Sequence, residues 1–164
     1  MGPEMGPETG SDDTRLSVLL EQEHHDIDAG LEAFVDGLAR DELRVEELAR
    51  AGAALRRHIY LEEAFLFPPL RAAGLLAPVL VMLREHGEIW RTLDAIDALD
   101  PAASPGAARD RCRELLDLLA AHNAKEEPII YPRGDEALDD AQTVELLDFI
   151  DSGRMPDGWA CAQA

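Results

Sequence analysis

One pattern occurs twice in this chain and limits what it can fold into. His58-Ile59-Tyr60-Leu61-Glu62-Glu63-Ala64-Phe65-Leu66-Phe67-Pro68 and His122-Asn123-Ala124-Lys125-Glu126-Glu127-Pro128-Ile129-Ile130-Tyr131-Pro132 both read His-x-x-x-Glu-Glu-x-x-aliphatic-aromatic-Pro. A shorter match precedes each copy: Glu23-His24-His25-Asp26-Ile27 and Glu85-His86-Gly87-Glu88-Ile89, both Glu-His-x-acid-Ile. The long pattern repeats after 64 residues and the short one after 62. The chain therefore reads as a duplicated unit, each half supplying two histidines and a carboxylate at helical spacing.

The segments carrying these motifs have helical periodicity. Leu16, Leu20, Ile27, Leu31, Phe34 and Leu38 recur at three- and four-residue steps, and His24 lies on that stripe, whereas His25 is about 100° round the helix. A polar turn near residues 39–44 ends the first helix. A second is expected from Val45 to about Leu66, closed by Pro68-Pro69. Pro78 suits the first turn of a third helix running to about Leu99, and residues 100–106 read as a linker. The fourth runs from about Ala107 to Glu127, with Cys112, Leu115, Leu116, Leu119 and His122 on its inner face and Pro128 limiting it. A short fifth helix is expected over 140–150, and 153–164 reads as a loose tail. No stretch alternates with period two. The expected class is all-α: an antiparallel up-down four-helix bundle over 12–132, a short C-terminal helix and tail over 133–164, and a disordered segment over 1–11.

Residues on antiparallel neighbours share a height when they are equidistant from the intervening turn. The midpoints of His24/His58, His58/His86 and His86/His122 are residues 41, 72 and 104, all in or near expected connections. The four imidazoles should form one layer about 25 Å from the loops at 1.5 Å per residue. Glu62 and Glu126 each follow a histidine by four residues, on the same helical face. His24, His58, Glu62, His86, His122 and Glu126 thus make six candidate metal ligands, a number suited to two ions bridged by two carboxylates. Imidazole with carboxylate fits iron, zinc, copper or nickel, and the lack of thiolates argues against a structural zinc-cysteine site. A lone histidine on an apolar face is usually a satisfied core residue, and a His/Glu pair can be a surface ion pair. Four histidines in one layer, two with recurring carboxylates, are hard to obtain that way. His25 and Glu63 read as supporting or solvent groups, and Pro128 leaves the direction of Glu127 open. Tyr60 and Tyr131, beside the two motifs, read first as packing residues, with donation of a proton or electron as the alternative, and Trp90 reads as core packing ahead of a redox role.

Composition narrows the partners. A formal charge of −19 and a pI near 4.4 disfavour nucleic acid and anionic membrane. Two cysteines, Cys112 and Cys161, without CxxC spacing, indicate a reducing compartment. The N-terminus lacks a signal-peptide pattern and no apolar run is long enough to span a bilayer, so a cytoplasmic location is expected. HExxH, Walker, GxGxxG and GxSxG motifs are absent, and the Glu-x-x-His of ferritin-like di-iron bundles occurs once, at Glu21–His24.

Taken together, Glu-His-x-x-Ile and His-x-x-x-Glu-Glu, each twice and in alternation from about Thr14 to Pro132, resemble the hemerythrin-like, or HHE cation-binding, family. The resemblance implies a four-helix bundle holding two iron ions with oxo or carboxylate bridges, and carries the ligand role onto the same six residues. Oxygen-carrying hemerythrins have a further histidine one turn after the third-helix ligand, where this chain has Trp90, and take their last carboxylate from the position of Glu127. That departure weakens reversible oxygen carriage and resembles the bacterial members linked to nitric oxide, peroxide or iron handling. The expected function is a non-haem di-iron protein that binds or reduces O2, NO or peroxide, with peroxidase or NO-related oxidoreductase activity left open. A non-catalytic iron-binding or gas- or redox-sensing module is the alternative, and a bundle that has lost its metal is a third. The expected partners are a small diatomic ligand or peroxide and an unidentified redox partner, in a monomer or weak homodimer.

Overall fold

The computed structural model describes residues 15–164; the expected disorder of residues 1–11 lies outside them. The described chain is helical: α1 Leu16–Ala39, α2 Val45–Leu61, α3 Phe67–Ala72, α4 Leu76–Asp97, α5 Pro105–Lys125, α6 Tyr131–Ala137 and α7 Asp140–Ser152. Two π-helical turns, Glu62–Leu66 and Glu126–Ile130, join α2 to α3 and α5 to α6 without a break. The result is the expected up-down bundle: α1 packs on α2 and α5, and α4 on α5 and α2.

The prolines act differently from expectation. Pro68-Pro69 does not close the second helix, nor does Pro128 end the fourth. Phe67 N–H bonds back five residues to Glu62 O, and Tyr131 N–H to Glu126 O. The next residues, Pro68 and Pro132, have no N–H to continue the ladder. The ladder therefore slips to a wider turn there, and helical geometry resumes. Each slip begins at the first glutamate of a Glu-Glu pair. That widened turn helps both acids reach the layer of histidines.

Close packing follows from small residues where helices meet. A Cβ on Gly30 of α1 would fall 2.9 Å from Ala51 Cβ of α2. The α1–α2 turn holds Asp41 at φ 58°, a conformation an acid or amide tolerates better than a branched residue. At the start of α7, Asp139 accepts from Gln142 N–H and the Gln142 side chain accepts from Asp139 N–H, a capping box.

The core has two apolar parts. One, toward the α1–α2 and α4–α5 connections, includes Ile27, Leu31, Phe34, Leu55, Ile59, Ile89, Leu93 and Leu115. The other, toward α3 and α6, includes Leu16, Leu20, Leu61, Leu66, Phe67, Leu70, Val79 and Tyr131. Between them lie the buried polar side chains His24, His58, Glu62, His86, His122 and Glu126.

The tail also corrects expectation. Residues 153–164 are seated on the bundle: Trp159 and Met155 pack against the first core part, and Cys161 is buried. Trp90 packs as expected, edge-on to Trp159 with the Arg56 guanidinium over its ring.

Candidate metal centre

Helices on all four sides of the bundle bring the six residues together. His24 comes from α1, His58 from α2, His86 from α4 and His122 from α5, while Glu62 and Glu126 open the two π turns. They form two groups that could each hold a cation: His24, His58, Glu62 and Glu126, and His86, His122, Glu62 and Glu126. Within a group, one ligand atom from each residue lies within 4.8 Å of all the others. Both glutamates belong to both groups.

Their two oxygens are divided between the groups. Glu62 Oε2 is 3.0 Å from His58 Nε2, and Glu62 Oε1 is 3.0 Å from His86 Nε2. Glu126 Oε1 is 3.2 Å from His24 Nε2, and Oε2 is 3.4 Å from His122 Nε2. This is how a carboxylate is placed when it bridges two ions. In the second group His122 Nε2 and Glu126 Oε2 are fully buried and make no hydrogen bond. Buried polar atoms are rarely left so, and a cation accepting both lone pairs resolves the pair.

Each histidine is held from behind by a carboxylate that accepts its Nδ1–H. The partners are Glu127 for His24, Glu23 for His58 and Glu63 for His86, each at 2.7 Å, and Glu85 for His122 at 2.8 Å. Such a bond fixes the tautomer, leaving Nε2 to point inward with its lone pair, and raises the basicity of the ring. All four supporting acids belong to the repeated motifs. Glu63 and Glu127, whose roles periodicity leaves open, both support histidines. His25 is exposed and outside the cluster.

Against the packing role that its position beside the motif suggests first, the Tyr131 hydroxyl lies inside the first group. The oxygen is 2.5 Å from Glu62 Oε2, 2.9 Å from Glu126 Oε1, 2.8 Å from His24 Nε2 and 3.0 Å from His58 Nε2. Its place in the motif, aromatic before proline, was the available signal. The equivalent Phe67 instead stacks on His86 with centroids 5.5 Å apart. The duplicated halves are thus chemically unequal, with a phenol only in the first group.

The electrostatics follow from burial against neighbouring charge. Burial opposes protonation of His58, yet Glu62 and the bond to Glu23 hold its pKa well above the ordinary value. His86 is pushed to about 9 by Glu62 and Glu63, again against burial. Burial and then Glu126 act on His122 in the same opposed way, with a net rise. Burial and mutual repulsion oppose ionisation of Glu62, but His58 and His86 hold it below the usual range; against burial, His122 and His24 hold Glu126 well below. Burial, then the two glutamates, raise Tyr131 well above its usual value. Six carboxylates around four imidazoles make a strong cation trap, and imidazolium protons balance it when no ion is bound.

The layer itself encloses a small cavity of about 10 Å³, lined by all six candidate ligands. Ile27, Leu55, Ile59, Ile89 and Leu119 form its apolar wall; Asp28 and Asn123 add polar groups. Burial raises the pKa of Asp28, which is near His24. That space lies between the candidate ligand atoms and is at the lower limit for a single water.

Among the described residues no helix is long and apolar enough to cross a membrane. Comparison with curated proteins and with solved structures gave no match. Comparison with protein families matched residues 15–133 to the hemerythrin HHE cation binding domain, which spans all four histidines and both glutamates of the cluster. The chain belongs to the hemerythrin HHE cation-binding family.

Proposed function

We propose that the chain is a non-haem di-iron protein whose two irons take His24, His58, Glu62, His86, His122 and Glu126 as ligands. Residues 12–132 would carry the function, with 133–164 as an appended segment. The observation that carries this reading is the division of each glutamate between the two groups, one oxygen to each. Six nitrogen and oxygen donors without thiolate suit iron and leave coordination positions open. When bound, the irons would supply a redox couple and Lewis acidity.

The ligand we favour is O2, NO or peroxide. Ile27, Leu55, Ile59, Ile89 and Leu119 flank the ligand layer on one side, an apolar border that suits a small, weakly polar ligand. Tyr131 O–H is held where it can donate to either bridging carboxylate or to a molecule beside them. Asp28 and Asn123 offer polar contacts at the cavity. The aliphatic wall excludes bulk water, so a bound ligand would meet few other donors. A cytoplasmic setting suits two free, buried cysteines.

Anaerobic ferrous protein should be exposed in turn to O2, NO and hydrogen peroxide, following absorption and loss of the reagent. Spectral change with turnover of one reagent supports an oxidoreductase. No response to any of the three in iron-loaded protein refutes the small-ligand reading. A second reading, a sensing module, is favoured by one observation: the C-terminal segment bonds directly to Glu63, the partner of His86. Response without turnover supports it.

A further inference from the structure

The duplication gives each half of the centre an equivalent set of supporting carboxylates, and the C-terminal segment treats the halves unequally. Glu63 and Glu127 occupy equivalent places in the repeat. The Glu127 side chain is 31% exposed and, among the described residues, hydrogen-bonds only His24. Glu63 is 7% exposed and accepts a second bond, at 2.9 Å, from Ala162 N–H. Its other oxygen holds His86. The chain end is thus one hydrogen bond away from a candidate ligand's supporting acid.

Other contacts fix that position. Gln163 O accepts from Arg91 Nη1 at 2.8 Å, and Trp159 packs edge-on against Trp90 and Tyr60 at 5.5 and 5.1 Å. Gly87, beside His86 on α4, leaves the space the chain end occupies: a Cβ there would fall 2.5 Å from Gln163 O. A second link runs through Arg57. Its guanidinium donates to the carbonyls of Phe149, Ile150 and Gly153, and its Nη1 lies 3.6 Å from Glu23, the partner of His58. In the other half, Glu85 is held by Lys125 within the bundle. The whole strap lies beyond residues 15–133, the family-matched span.

We propose that residues 153–164 are a positioning strap whose docking against Glu63 and Gly87 is thermodynamically linked to metal held by His86. The inference rests on the di-iron reading above. Linkage is reciprocal: if the docked strap holds His86 in its ligating orientation, metal at His86 must hold the strap. Losing a ligand's supporting partner typically lowers metal affinity about 10–100-fold. The strap is therefore a built-in reporter: loss of the metal at His86 loosens the segment that covers Trp90 and buries Cys161.

The test uses the chain of residues 1–164 loaded anaerobically with ferrous iron. Release to a chelator and amide hydrogen exchange over residues 154–163 are measured in wild type, Ala162→Pro and Gly87→Ala. Ala162→Pro removes the N–H that Glu63 accepts and fixes the backbone at 162, a turn position; Gly87→Ala places a methyl under Gln163 O, leaves that N–H in place and serves if the proline variant does not fold. We expect release of one of the two irons to quicken by about tenfold or more in either variant. Exchange over the strap should be slower in loaded than in stripped wild type. Glu127→Gln should alter release without altering strap exchange. Two irons taken up, with release unchanged in the variants and strap exchange independent of metal, would overturn the strap and leave the metal reading intact. No uptake by wild type would overturn both.

Discussion

Replacing Tyr131 by Phe tests the least expected feature of the centre. The substitution keeps the ring, 1% exposed and stacked on His24, so it opens almost no cavity. What it deletes is one oxygen within 2.5–3.0 Å of Glu62, Glu126, His24 and His58. The phenol has one proton, so it donates one hydrogen bond at a time, to a charged carboxylate. Such a bond contributes about 1.5–3 kcal/mol, and its acceptors are not stranded, because Glu62 and Glu126 keep their histidine contacts. In a chain of this size each kcal/mol shifts the melting temperature by about 2–4 °C, so metal-free Tyr131→Phe should melt about 3–12 °C lower. The loaded protein adds a site-specific readout: iron held by His24 and His58 should be released to a chelator faster, while iron held by His86 and His122 should not. Calorimetry with and without iron, together with stopped-flow chelation, separates these effects. An unchanged melting temperature with both release rates unchanged would refute the placement of the hydroxyl.

Glu126→Gln should cost both irons in elemental analysis of reconstituted protein, since its oxygens serve both groups, whereas His25→Ala should cost neither. The pH dependence has a definite sign. His86 is raised from an ordinary 6.5 to about 9, so imidazolium stabilises the metal-free fold fully below pH 6.5 and that stability fades as pH rises through 9. Metal needs the neutral ring, so ferrous affinity by chelator competition should climb across the same window, up to about tenfold per pH unit for this proton, with proton release on loading. Leu31→Ala, at a fully buried position on α1, should lower unfolding free energy in urea by about 2–5 kcal/mol while leaving iron stoichiometry unchanged.

Much of the site was legible because helical geometry is regular. The equidistance of His24, His58, His86 and His122 from their turns needs only a fixed rise per residue, and the i+4 placement of Glu62 and Glu126 only a fixed angle. The rest depends on departures from that regularity. Proline after the Glu-Glu pair reads as a stop, yet it shifts the ladder to a π turn, so Glu63 and Glu127 turn to the histidines of the opposite half. The reach of Tyr131 into the cluster follows from that same slip and has no signature in periodicity. Residues 153–164 read as a loose tail because their apolar residues follow no helical or alternating period, but Trp159 and Cys161 suffice once Gly87 leaves room for the backbone. Backbone donors such as Ala162 N–H are invisible in a sequence.

The account turns on whether one chain binds two metal ions through shared glutamates. The direct measurement is metal content by elemental analysis, with an absorption spectrum, on protein purified from iron-replete cells and again after anaerobic ferrous reconstitution. The account predicts about two irons per chain, with near-ultraviolet absorption of bridged ferric ions after exposure to air. A single zinc, or no metal after reconstitution, would contradict it and reduce the six buried residues to a histidine layer stabilised by its own carboxylates.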